Sequence, residues 1–236
     1  FAALLEAHGF DRPEAREIWL SAFDTVFGPA AASEAPAPIE TPSDGISGPR
    51  LMVSGMGWSG SGAIFDYFCE NRDVTPIRQE YLHLEGRAGV RHLHGSLGER
   101  DRFMAAFADF FFLGLLGLGS AFRGERDSDK ARKLSLRANG LLYAREVHRL
   151  CATARKRIDS APPDPALLRM IADGALEAVS LGHVGKPAGT LLFDNMIHMK
   201  NLWLVPFVSN LTVFSSFRDP RSNYVARLRE SRRFAS

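Results

Sequence analysis

The sequence predicts an α/β fold: three layers around a central parallel sheet, with a small helical appendage at the N-terminal end. Three observations carry this. Leu51-Met-Val-Ser-Gly-Met-Gly-Trp-Ser-Gly-Ser-Gly-Ala63 is an apolar run that breaks into glycine and serine, and Ile64-Phe-Asp-Tyr-Phe68 then reads as the first turns of a helix. Thr190-Leu-Leu-Phe-Asp194 and Leu211-Thr-Val-Phe-Ser-Ser-Phe217 are short β-rich runs of the kind that form buried strands. Between the first run and the other two lie long segments with helical periodicity.

Taken in chain order, residues 1–28 read as two short amphipathic helices. The first, Ala2 to His8, stops at Gly9; the second restarts at Asp11-Arg-Pro13, with Asp11 as the cap candidate and Pro13 early in the helix. Ile18, Trp19, Phe23, Val26 and Phe27 recur at helical spacing. Residues 29–49 are rich in Ala, Pro and Ser with few large apolar side chains and read as a linker, so the main domain is expected over 50–236. Two uses suit the appendage: docking a protein partner, or packing back on the main domain.

Phe103 to Phe122 is an apolar stretch of a length that would just cross a bilayer. Asp109 within it and Gly114, Gly117 and Gly119 argue for a buried core helix followed by a glycine-rich turn. A peripheral membrane contact, suited to a lipid-linked acceptor, stays open. Lys130 to Arg157 reads as one long basic helix with a break at Asn139-Gly140, its cations forming a solvated face. Ala161-Pro-Pro-Asp-Pro165 ends it, and Asp164-Pro165 opens another helix to about Leu181.

The chemistry concentrates at the first glycine-rich turn. A strand, a Gly/Ser turn and a helix start make an anion cradle: glycines let the backbone approach an oxyanion, and the helix dipole favours negative charge. The spacing almost fits a nucleotide-binding P-loop, Gly-x-x-x-x-Gly-Lys-Ser/Thr, with Gly55 and Gly60 as its glycines; Ser61 stands where the lysine would be. An ordinary ATPase or GTPase is thereby disfavoured, because that lysine is the point charge on the outer phosphates. Arg218-Asp-Pro-Arg221 directly follows the last β-rich run, where an arginine at a strand's carboxyl end suits bidentate phosphate recognition.

Together the two segments resemble the PAPS-dependent sulfotransferase superfamily, in its carbohydrate-directed, bacterial-type branch. Trp58-Ser59-Gly60-Ser61 is similar to that family's 5′-phosphosulfate loop, and Phe217-Arg218-Asp219-Pro220-Arg221 to its 3′-phosphate motif. Asn71-Arg-Asp-Val-Thr-Pro-Ile-Arg-Gln-Glu80 resembles the second-strand segment of the branch, which puts Glu80 at the general-base position. The family's loop Lys/Arg falls on Trp58, and its serine eight residues after the motif arginine falls on Ala226.

What the resemblance implies is a P-loop-type fold and a sulfuryl transfer from PAPS, a cosubstrate, to an acceptor hydroxyl on a carbohydrate or glycolipid. Gly57, Trp58, Ser59, Gly60, Ser61 and Gly62 would hold the 5′-phosphosulfate, and Arg218 the 3′-phosphate with Arg221 or Ser222. Glu80 would take the acceptor proton. His198 and Lys200, just beyond the strand Thr190–Asp194, are candidates to replace the charge missing at Trp58. The alternatives are a non-catalytic nucleotide- or glycan-binding scaffold on the same fold, and a small-molecule kinase.

Composition sets the outer limits. The 236 residues carry 45% hydrophobic side chains, enough for a large core, and a net charge of +2, too small for bulk nucleic-acid binding. Cys69 and Cys151 give no disulfide framework, and a reduced, cytoplasmic compartment is the expectation. His83, His92 and His94 lack carboxylates at metal-site spacing; they read as surface or pocket residues, and no metal is expected.

Overall fold

A computed structural model describes residues 1–28, 48–55, 60–79, 81, 83–118, 129–186, 189–217 and 219. The elements in chain order are α1 (Ala2–Ala7), α2 (Pro13–Phe27), β1 (Arg50–Gly55), α3 (Ser61–Cys69), β2 (Val74–Ile77), α4 (Val90–His94), α5 (Arg100–Asp109), α6 (Asp129–Ser135), α7 (Gly140–Ser160), α8 (Pro165–Val184), β3 (Thr190–Asp194) and β4 (Leu211–Ser216). A π-helical stretch, Phe110–Leu115, continues α5, and a 3₁₀ segment, Met199–Phe207, links β3 to β4.

The four strands form an all-parallel sheet in the order β2-β3-β1-β4. Parallel neighbours need crossover connections, and right-handed crossovers running in opposite directions along a sheet lie on opposite faces. That is how the layers divide. The β1-to-β2 crossover is α3 alone, while the β2-to-β3 crossover carries α4 to α8 on the other face. Strand alternation follows the division. Leu51, Val53, Leu192 and Val74 meet Ile64, Phe65 and Phe68 of α3, whereas Met52, Leu191, Phe193 and Ile77 face the helical layer.

The helical layer holds the main core. α2 packs on α7 and α7 on α8, with Trp19, Phe107, Phe111, Tyr143, Leu168 and Val179 all buried. Residues 1–28 thus share this core: Trp19 meets Phe10, Phe111 and Tyr143 at ring-centroid distances of 6.0–6.1 Å, and Phe1 stacks on Phe23 at 4.3 Å. Edge-to-face rings at such distances add to the apolar burial that fixes the appendage. Within the sheet, buried Arg50 pairs with Asp173 of α8, which also accepts from Ser209 N at 3.0 Å and Ser209 Oγ at 2.6 Å. This one carboxylate ties the amino ends of β1 and β4 to the helical layer.

Several local expectations need correction. The cap of α2 is Arg12 and not Asp11, because the residue before Pro13 is pushed into extended backbone and Arg12 takes it, at φ −72° and ψ 116°. The helix after the glycine-rich turn begins at Ser61, earlier than Ile64. The break expected at Asn139-Gly140 is present: Lys130–Arg157 is divided between α6 and α7, parted before Gly140, where a Cβ would sit 1.8 Å from Ser135 O. Of its cations, Arg155 reaches inward and donates to Val26 O at 2.8 Å, whereas Arg149 is exposed and donates to Glu146 and Glu177. At α8, Asp164 accepts from Leu167 N at 2.8 Å with Pro165 at the first turn, as the sequence predicts.

The apolar stretch after Phe103 is core: Phe103, Phe107, Phe110, Phe111, Leu115, Leu116 and Leu118 are all buried. Among the described residues, no helix is long and apolar enough to cross a membrane.

Candidate functional site

The carboxyl ends of β1 and β3 are cross-tied. Gly55 N donates to Asn195 Oδ1 at 2.9 Å, Asn195 N to Val53 O at 2.9 Å, and Ser54 Oγ to Ile197 O at 2.8 Å. Connections leaving adjacent strands for opposite faces open a crevice at this edge, where α/β sheets bind ligands. Backbone strain gathers here too. Asn195, just after β3, has φ +43° and Gln79, just after β2, has φ +112°, values non-glycine residues avoid unless their surroundings impose them.

The glycine-rich turn lies between Gly55 and α3. Gly60 caps α3 with φ +90°, a left-handed conformation that glycine adopts without Cβ strain. Ser61 is buried in the first turn, and Gly62 is exposed with open space where a Cβ would go. Gly57, Trp58, Ser59, Glu80, Arg218, Arg221 and Ser222 lie outside the described residues, as does Ala226. Register nevertheless fixes the strand ends: Gly55 pairs with Ser216, two residues before Arg218, and Val53 pairs with Asp194, four before His198.

His198 stands in a cluster that sequence reasoning missed. Glu85, with 7% of its side chain exposed, accepts from His198 N at 2.8 Å, from Asn201 Nδ2 at 2.8 Å and, through its other oxygen, from His198 Nδ1. Three donors on one buried carboxylate fix the imidazole by its backbone and its ring together. With Nδ1 carrying the proton that Glu85 accepts, Nε2 is the basic nitrogen, and the His198 side chain is 40% exposed. Lys200, two residues on, is exposed and makes no ion pair among the described residues.

Glu85 belongs to a loop after β2 that anchors through every second residue. Tyr81 Oη meets His183 Nδ1 of α8 at 3.2 Å, and Arg137 donates to the same nitrogen at 3.0 Å. Burial, and then the Arg137 charge, hold the His183 pKa below its ordinary value. His83 Nε2 lies 3.2 Å from Tyr143 Oη, whose proton goes to Leu115 O at 2.6 Å. The imidazole must therefore donate from Nε2, which leaves buried Nδ1 as a bare lone pair. Burial pushes the His83 pKa down to about 4. His83 is accordingly a core residue, which corrects the expectation of a surface or pocket position.

Spacing would have offered one hint of the cluster: His198 and Asn201 lie three apart, on one side of a helical turn. Glu85 carried none, being more than a hundred residues away. Among the described residues no group of three metal-ligating side chains converges. Compared with protein-family models, with curated proteins and with solved structures, the chain finds no match.

Proposed function

We propose that this chain is a sulfotransferase that moves a sulfuryl group from PAPS to an acceptor hydroxyl on a carbohydrate or glycolipid. The observation that carries the reading is the strand order at the crevice. β1, which feeds the glycine-rich turn, is flanked by β3, which leads to His198, and by β4, which leads to Arg218. Neighbouring strands sit about 4.8 Å apart, so an anion cradle, an oriented base and an arginine would emerge side by side.

In this reading the turn from Gly57 to Gly62 holds the 5′-phosphosulfate through backbone N–H groups and the Ser59 and Ser61 hydroxyls. Arg218 grips the 3′-phosphate, helped by Arg221 or Ser222. The acceptor oxygen attacks sulfur in line; an O–S bond forms as the bond from sulfur to the bridging phosphate oxygen breaks, and PAP leaves. The acceptor proton passes to His198 Nε2, and Glu85 stabilises the imidazolium; Glu80 is the competing base that the family resemblance implies. Lys200 supplies the positive charge that Trp58 does not bring to the leaving oxygen.

Calorimetric titration with PAP, using ADP and ATP–magnesium as controls, tests the nucleotide site. Micromolar binding of PAP alone, lost in Arg218→Ala, is the expected result; PAP affinity that survives this change removes the assignment. Turnover of PAPS separates the enzyme from the second reading, a non-catalytic binding protein, which Trp58 at the loop-cation position favours. His198→Asn is expected to lower turnover by about 100-fold or more with PAP affinity unchanged, and Glu80→Gln is the matched comparison.

A further inference from the structure

A groove between α4 and α5, with a cavity volume of about 600 Å³, is lined by Arg87, Arg91, His92 and Arg102 against one carboxylate, Asp109. The carboxylate is engaged, 3.6 Å from His92 Nε2, and Arg102 meets exposed Glu99 at 3.3 Å. Arg91 makes no ion pair or hydrogen bond among the described residues. Three guanidinium groups around one concave surface raise a positive potential that focuses anions into it. The guanidinium fork matches the paired oxygens of a tetrahedral oxyanion.

The floor adds to this. Ser96 is 4% exposed overall and lines the groove, yet its hydroxyl makes no hydrogen bond among the described residues. Gly86 and Gly95 leave the walls without side chains, and the volume is in the range of small-ligand pockets. The groove also shares its framework with the crevice. Gly86 and Arg87 directly follow Glu85, which puts the Arg87 Cα within about 7 Å of the Glu85 Cα. On another side of α4, the His94 ring packs on Trp203, 4.8 Å away, in the 3₁₀ segment that carries Asn201.

We infer that this groove binds a tetrahedral oxyanion ester, a sulfate or phosphate monoester, carried by the sugar acceptor. The acceptor assignment rests on the sulfotransferase reading; the anion site itself does not. Arg91, Arg102 and Ser96 hold the ester while a hydroxyl elsewhere on the same sugar reaches His198. The acceptor class is therefore an already acidic saccharide rather than a neutral one.

The test is titration of the full chain with glucose 6-sulfate and glucose 6-phosphate, beside inorganic sulfate, inorganic phosphate and neutral glucose, with PAP titrated separately. The expected result is binding of at least one sugar ester, at least tenfold tighter than the inorganic ions and glucose. The double variant Arg91→Ala, Arg102→Ala should weaken it at least tenfold and leave PAP affinity unchanged. Both positions are exposed, and an unchanged far-UV spectrum and melting curve check the fold; Arg91→Gln alone is the milder version. No ester binding, ester affinity retained in the variants, or inorganic ions bound as tightly as the esters each overturn the inference. PAP bound without ester leaves the sulfotransferase reading standing and removes this one. Ester bound without PAP keeps the anion groove and removes the sulfotransferase reading.

Discussion

On one face of the sheet, Met52, Leu191, Phe193 and Ile77 run into an unbroken core that reaches Trp19 in α2; on the other, the buried core is Val53, Leu192 and Phe65 beneath α3. Depth of burial differs sharply between these faces. The helical face fixes the strands and the His198–Glu85 pair. The α3 face carries the glycine-rich turn, where Gly60 and Gly62 have open space around their Cβ positions. A thick layer thus supplies stability, and a thin one leaves open space beside Gly60 and Gly62 at the start of α3.

The largest expected effect that sharpens this contrast is Trp19→Ala, which should cost about 3–5 kcal/mol by urea unfolding, since its ring is buried against three others. Phe65→Ala should cost clearly less, because partly exposed neighbours can collapse into the space. Equal costs would break the comparison.

Next comes pH. His83 has a folded pKa of about 4 against an ordinary value near 6.5, so the unfolded chain binds the extra proton between those values. Stability should fall as pH drops from about 6.5 to about 4, by roughly 3 kcal/mol from this group. His148 and His183, also held below their ordinary values by burial, act in the same direction. Chemical denaturation across this range should show a shallower slope in His83→Gln; an unchanged slope refutes the assignment.

Asp173→Ala comes third. It removes the counter-charge of buried Arg50, which keeps its bond to Ser209 O, and frees the Ser209 donors, at a cost of about 2 kcal/mol, moderated because the carboxylate is a quarter exposed. The smallest effect is on the thin face: Gly60→Ala should cost about 1 kcal/mol, from its positive φ alone, because no atom of the described residues lies within 4 Å of the added methyl. Differential scanning calorimetry resolves both. A Gly60→Ala variant that unfolds outright would mean that the α3 face is more constrained than its packing indicates.

The parts of the fold legible in the sequence were those written locally. β1, β3 and β4 announce themselves as short apolar runs, and α8 by Asp164-Pro165. The π-helical stretch at Phe110–Leu115 was not legible, because nothing in a phenylalanine run distinguishes i+4 from i+5 bonding. The candidate site divides in the same way. His198 could be placed beyond a strand end, but Glu85 reaches it across 113 residues, and no local pattern encodes a contact that only the sheet order creates. Arg50 and Asp173 meet across 123 residues for the same reason. Asp11 misled because a good cap residue two before a proline loses to the backbone restriction on the residue between them.

β2 and β3 are neighbours in the sheet, paired from Val74 with Thr190 to Ile77 with Phe193, yet α4 to α8 all lie between them in the chain. Closing so long a loop before any strand pairing rewards it is entropically unfavourable, while the helical contacts inside it are far more local. The helical layer should therefore collapse first and present β2 and β3 to one another. The order of assembly then has a practical consequence during synthesis. Until β3 emerges, β1 and β2 have no partner strand, and the apolar edges of both stand open to pairing with another chain.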